Sequence, residues 1–227
     1  MRTIQQVNFK NKKVLIRVDF NVPLDHSFNV MDDTRIRAAM PTILKVLKDG
    51  GSCILMSHLG RPKDKDPELS LKHIVPKLKQ IIGVDVKFSE TCIGKKATNI
   101  AMDLLPGEVL LLENLRYYNE ETQGDEGFAK ALASHGDFYI NDAFGTAHRA
   151  HASTTVVAKF FLNAKCFGFL LAKEIESVNK VMKNGEKPVL AILGGAKVSS
   201  KITIIENILD KIDHLIIGGG MSFTFIK

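Results

Sequence analysis

The sequence predicts an α/β fold: a doubly wound, mostly parallel sheet with helices on both faces, followed by the opening of an incomplete second α/β domain. Three observations carry this. Short apolar runs recur at residues 14–16, 53–56, 109–112 and 138–140. Stretches with helical spacing of apolar side chains lie between them, the pattern of parallel strands joined by right-handed crossovers. Hydrophobic residues make up 45% of the 227 residues, enough for a substantial core in one large or two modest domains.

The elements follow in chain order. After the first strand, Ile36, Met40, Ile43 and Leu47 recur at helical spacing and stop at Gly50 and Gly51, with Pro41 placed in the first turn of that helix. Ser70 is suited to cap a helix over 71–82 that ends at Gly83. A strand over 84–88 follows, then a helix near 127–133 and the strand at 138–140. These elements assign residues 1–168 to the first domain. Residues 169–186 form a connecting helix, with Glu174, Glu176, Lys180 and Lys183 on its exposed side. Residues 187–227 begin a second domain: a strand at 188–193, Gly194 and Gly195, a helix to about 210, and a strand at 215–217 leading into Gly218, Gly219 and Gly220. Two strands and one helix cannot cover both faces of a sheet, so this domain is expected to be incomplete.

Composition excludes several classes of function. The net charge of +6 could suit nucleic acid, but the lysines are spread along the chain rather than clustered. Cys53, Cys92 and Cys166 are odd in number and form no Cys-x-x-Cys pair, which argues against a disulfide framework or a zinc site and fits a reducing cytoplasm. Neither a signal-peptide apolar region nor a membrane-length apolar stretch is present in the sequence, and a soluble cytoplasmic protein is expected.

The chemistry is concentrated where strands end. The loops after four apolar runs carry Arg35, His58 and Arg61, Arg116, and His148 and Arg149. If the strands are parallel, these loops share the edge where open α/β sheets bind ligands. So much convergent positive charge repels itself unless an anion is present, and arginine forks match phosphate and carboxylate oxygens. Asp19 and Asn21 could fix hydroxyl groups of such a ligand, or form an Asx turn around Pro23. Arg35 lies just ahead of a helix N-terminus, and Arg37 competes with it for the same role. Gly60 and Pro62 would stiffen the loop bearing His58 and Arg61. Asp142, Gly145, Thr146, His148, Arg149 and His151 crowd into 141–151, where a metal site on the two histidines and Asp142 is the competing reading. Gly194, Gly195, Ala196 and Lys197 follow a strand and open a helix, with Lys201 one turn on; the spacing is not that of a Walker A loop. Lysines four apart repel each other unless they share an anion.

Taken together and in this order, the motifs resemble the phosphoglycerate kinase family. They are Arg17-Val18-Asp19-Phe20-Asn21-Val22-Pro23, Ser57-His58-Leu59-Gly60-Arg61-Pro62, Glu113-Asn114-Leu115-Arg116, the run 141–151, Leu193-Gly194-Gly195-Ala196-Lys197-Val198 and Gly218-Gly219-Gly220-Met221. The resemblance implies two doubly wound domains that close on each other, one holding 3-phosphoglycerate and the other ADP or ATP. It implies that Asp19, Phe20, Asn21, Arg35, His58, Leu59, Gly60, Arg61, Arg116 and Arg149 contact the phosphoglycerate. Arg35 and Lys197 would act on the transferring phosphoryl group. Gly194, Gly195, Ala196, Lys197 and Lys201 would meet the nucleotide phosphates, and Gly218, Gly219 and Gly220 the adenine pocket. The implied reaction is reversible phosphoryl transfer from 1,3-bisphosphoglycerate to Mg-ADP. The complete protein is expected to be a monomer without nucleic-acid or membrane partners.

The family's later Trp-Asn-Gly-Pro and Gly-Gly-Gly-Asp-Thr loops are not found here, and the sequence contains no tryptophan. The chain is therefore expected to be truncated, with the family's magnesium ligand lying beyond it. The alternative is that the chain alone acts as a 3-phosphoglycerate-binding module without turnover.

Overall fold

The computed structural model describes residues 3–147, 149–184, 186–195 and 202–226. They fall into two compact units, Met1–Ala172 and Lys173–Lys227. In the first, β1 (Lys13–Arg17), β2 (Ser52–Met56), β3 (Val86–Ser89), β4 (Val109–Leu112), β5 (Phe138–Asn141) and β6 (Lys165–Phe167) form one sheet in the order β3-β4-β2-β1-β5-β6. Every pairing is parallel. The expected fold class holds for this unit.

Strand alternation divides the core in two. Val14, Ile16, Cys53, Leu55, Val109 and Leu111 face one side, where they pack with Ile36, Ala39, Met40, Ile43 and Val46 of α1 (Thr34–Lys48) and with Leu78 and Ile82 of α2 (Val75–Ile82). Leu15, Ile54, Leu110, Leu112 and Tyr139 face the other. There they meet Ala97 and Ala101 of α3 (Lys95–Met102) and, after the short α4 (Asn119–Gln123), Phe128, Ala129 and Leu132 of α5 (Glu126–Ala133). Buried on both faces, these strands read as continuous apolar runs.

Pro41 is not in the first turn of α1 but in its interior, and Arg35 stands inside the first turn rather than ahead of it. Pro41 sits on the exposed side, so the Arg37 carbonyl that loses its helical donor lies toward water, while the buried stripe holds the helix to the sheet. Ser70 does cap, its Oγ accepting from the Lys72 amide at 3.2 Å, but the turn it opens is 3-10 over Leu71–Ile74. The α geometry begins at Val75, with Pro76 near its start and Gly83 at φ 81° closing it. The strand expected at 84–88 is shifted to Val86–Ser89.

A helix, α6 (Phe169–Asn184), begins in the first unit and continues into the second. In the second unit β7 (Leu190–Gly194) pairs in parallel with β8 (His214–Gly218), bringing Gly194 beside Gly218. Between them lies α7 (Ile202–Ile208), and a short α8 (Ser222–Ile226) follows. Among the described residues no helix is long and apolar enough to cross a membrane.

Candidate functional site

Parallel strands place their carboxyl ends at one edge, and the loops leaving β1, β2, β4 and β5 meet there around a cavity of about 360 Å³. Its lining includes Asp19 and Asn21 from the first loop, Arg35 from α1, His58, Gly60 and Arg61 from the second loop, Arg116 from the third, and Gly145, Thr146 and Arg149 from the fourth. Gly145 and Thr146 join the set that the sequence singled out as ligand contacts. Phe20 and Leu59 do not line the cavity; both are buried in the hydrophobic core, as apolar residues alternating with polar ones are.

Local bonds hold the loops in register. The Phe20 amide donates to Ser57 Oγ at 2.8 Å, and the Gly60 amide to Asn21 Oδ1 at 2.8 Å, tying the first loop to the second. Asn114 accepts from the Leu59 amide at 3.2 Å and donates to the Leu59 and Leu69 carbonyls at 2.7 and 2.8 Å. Its Oδ1 also accepts from the Arg116 amide at 3.0 Å, so one buried amide aligns two loops. Gly60 has φ +61°, and a Cβ there would lie 2.9 Å from Leu69 Cδ2, so this loop needs glycine.

Positive charge dominates the cavity. Arg35 Nη1 pairs with Asp19 Oδ2 at 2.6 Å. Arg116 Nε is buried without a hydrogen-bond partner among the described residues. Burial, followed by the nearby Arg17, Arg149 and Arg61, lowers the Arg116 pKa, while Glu121 opposes that shift. His58 is pushed down to about 3 by burial and by the charges of Arg17, Arg116, Arg35 and His151, so its ring is neutral at ordinary pH. An orphaned guanidinium nitrogen among other arginines suits an anion with several oxygens; Asp19, an acceptor, suits a hydroxyl on the same molecule.

The metal alternative loses its geometry. Asp142 is buried against the start of α6, its Oδ1 accepting from the Leu171 amide at 3.1 Å, whereas His151 faces Glu121, with Nδ1 3.8 Å from Oε1. His148 lies outside the described residues. Among the described residues no three His, Cys, Asp or Glu side chains come together as a metal-ligand set. In the second unit Gly194 and Gly195 lie next to Gly218 and Gly219 at the strand ends, and the Met221 amide donates to the Gly195 carbonyl at 3.1 Å. Gly220 follows in the same turn, while Ala196, Lys197 and Lys201 fall outside the described residues.

Three residues beneath the cavity were not legible as part of a site: Arg17, Glu121 and Ser153, each fully buried. Arg17 carried a usable signal, since it lies two residues beyond Leu15 on a buried strand and must therefore point inward. Glu121 carried none, because its acidic neighbourhood reads as a solvated turn.

Residues 4–227 match the phosphoglycerate kinase family profile. The chain belongs to the phosphoglycerate kinase family. A phosphoglycerate kinase from Porphyromonas gingivalis is 50% identical over 249 residues, covering 99% of this chain and 60% of its own length. A cytosolic phosphoglycerate kinase from Nicotiana tabacum is 52% identical over 225 residues, covering 99% of this chain and 56% of its own. Among solved structures, phosphoglycerate kinase from Coxiella burnetii matches with a TM-score of 0.86 at 36% identity, over 99% of this chain and 56% of that one. The one from Pyrococcus horikoshii OT3 gives 0.87 at 31% identity, over 99% and 57%. The chain thus spans between 56% and 60% of the length of these two curated relatives.

Proposed function

We propose that this chain is part of a phosphoglycerate kinase and that its first unit holds the phosphoglycerate during reversible phosphoryl transfer between 1,3-bisphosphoglycerate and Mg-ADP. The observation that carries the reading is the cavity: four arginines, a neutral histidine, a carboxylate and an amide at one sheet edge, in a chain of this family. Arg61, Arg116 and Arg149 bind the anionic groups, Asp19 and Asn21 take the hydroxyl, and His58 donates without adding charge. Phosphoryl transfer asks mainly for positioning and for neutralised equatorial oxygens, so the chain needs no covalent nucleophile. Arg35 stabilises the transferring group from this side. Lys197 does so from the nucleotide side, where Ala196 and Lys201 join Gly194 and Gly195 at the phosphates and Gly218, Gly219 and Gly220 line the adenine. Magnesium would enter as the metal of Mg-ADP or Mg-ATP and would screen phosphate charge. The three free cysteines are all buried, which is consistent with the cytosolic location named for the tobacco relative.

The test pairs two measurements. Calorimetry of this chain with 3-phosphoglycerate should show one-site binding. A coupled assay of ATP formation, run on this chain beside a chain extended to the relatives' length, should show turnover in the extended form and little in this one, because a one-Å misplacement of donor and acceptor costs about a hundredfold. An extended chain that binds 3-phosphoglycerate but forms no ATP would sink the kinase reading.

A further inference from the structure

Beneath the cavity, a chain of fully buried polar groups ends on His58. Arg17 closes β1 on the same face as Leu15, which turns it toward the helical turn Ala152–Val156. Its Nε donates to Ser153 Oγ at 2.9 Å. Ser153 Oγ in turn donates to Glu121 Oε1 at 2.6 Å, and the Ser153 amide donates to Glu121 Oε2 at 2.9 Å. Arg17, Ser153 and Glu121 are all 0% exposed, and none lines the cavity. An arginine and a glutamate taken wholly out of water are costly unless their charges are compensated and hydrogen-bonded, and here the Ser153 hydroxyl bridges the two with a hydrogen bond to each. Nη1 donates to the Val18 carbonyl, which leaves one Arg17 nitrogen for His58: Nη2 lies 3.3 Å from Nδ1.

That contact has a direction. A guanidinium can only donate, so the Nδ1 it meets must be an acceptor, and a neutral imidazole whose Nδ1 accepts carries its proton on Nε2. The competing partner for Nδ1 is Asp19 Oδ1, which would demand the opposite tautomer, but it stands 4.0 Å away, beyond hydrogen-bonding reach. We propose that Arg17, seated by Ser153 and Glu121, is a positioning residue that locks His58 as the Nε2–H tautomer, so that the anion cleft receives its ligand on a neutral donor. The proposal rests on the cleft being the phosphoglycerate site, and it adds how that site is kept in one protonation state. The charged and titratable groups acting on His58 are Arg17, Arg116, Arg35 and His151, all of which oppose its protonation, with Asp19 as the acidic neighbour. A fixed neutral donor gives the ligand a hydrogen bond without a further cation beside the arginines. It also keeps that bond unchanged across the range in which a free histidine would titrate.

The experiment uses the full chain with 15N-labelled histidine and long-range 1H–15N spectra, which distinguish the two ring nitrogens. His58→Gln assigns the signals. The expected wild-type result is a pyridine-type Nδ1 and a protonated Nε2, constant from about pH 5 to about pH 8. In Arg17→Met the lock is removed, so His58 should exchange between tautomers and begin to titrate inside that range, and 3-phosphoglycerate affinity should change with pH several-fold more than in wild type, where only the ligand's phosphate, with its second pKa at about 6, titrates. Ser153→Ala leaves Arg17 in place but unseated at Nε; it should shift the His58 signals the same way to a smaller extent, which covers the case in which Arg17→Met does not fold. An Nδ1–H signal in wild type, titration of wild-type His58 within the range, or unchanged His58 signals in Ser153→Ala would overturn the proposal. If wild type shows the expected tautomer yet binds no 3-phosphoglycerate, the functional reading fails and the tautomer lock stands.

Discussion

Arg61 stands exposed between Gly60 and Pro62, on a backbone already fixed by the bond from the Gly60 amide to Asn21. Little of its binding energy is therefore spent on ordering the loop. A hydrogen bond to a charged group contributes on the order of 1.5 to 3 kcal/mol. Arg61→Ala should thus weaken 3-phosphoglycerate binding roughly tenfold or more in calorimetry, and unchanged affinity would remove Arg61 from the site. Asp19 offers a sharper discrimination. It holds Arg35 at 2.6 Å and is the cavity's carboxylate, repelling any anion yet able to accept from a hydroxyl. Asp19→Asn should strengthen the binding of inorganic phosphate several-fold while weakening that of 3-phosphoglycerate. Parallel changes for both ligands would show that Asp19 does not recognise the hydroxyl.

At the scale of elements, the end of β5 and the middle of α1 are both fastened to the start of α6. The Gly168 amide donates to the Asn141 carbonyl at 2.9 Å, the Phe169 amide to Thr42 Oγ1 at 2.9 Å, and the Leu171 amide to Asp142 Oδ1 at 3.1 Å. A Cβ on Gly168 would fall 2.3 Å from Asp142 Cγ, closer than atoms can pack. Gly168→Ala should therefore force Asp142 or the helix start aside and destabilise the first unit by about 1 to 3 kcal/mol. The measurement is a urea titration, with a lower midpoint and an unchanged slope. An unaltered midpoint would mean that this junction yields freely. The same loop that leaves Asp142 goes on to Arg149, so a smaller loss of anion affinity should accompany the shift.

For the whole molecule, buried histidines set the response to acid. His58, His135 and His151 all have lowered pKa values, each with burial as the leading cause. Unfolding returns them to about 6.5, so below that pH the unfolded chain binds more protons and stability falls as pH falls. The His58 contribution is complete above about 6.5 and is lost progressively toward about 3. Asp142 acts in the opposite sense, since burial raises its pKa and favours the folded, protonated form in acid. With three such groups against one, stability is expected to follow the histidines. Stability should drop by roughly 2 kcal/mol between pH 7 and pH 5 from His58 alone, read from urea midpoints, and His58→Gln should flatten that dependence. A wild-type midpoint that rises on acidification would contradict this balance.

Local patterning was enough to specify much of this protein. Apolar runs of only three or four residues are too short for buried helices and read as inner strands of a covered sheet, and helical spacing between them favours parallel pairing; the arginines of the cleft follow, because loops after parallel strands share an edge. Elements with little burial escaped that logic. The helix α3 buries only two alanines, and β6 is three residues at the edge of the sheet, so neither leaves a periodic signature. Pro41 within α1 was misplaced because sequence rules price the missing hydrogen bond without knowing that it lies on the solvent side. What only tertiary structure decided is the layer under the site. Arg17, Ser153 and Glu121 come from three segments as far as 136 residues apart, and their pairing depends on which buried charges meet in space rather than on any spacing along the chain.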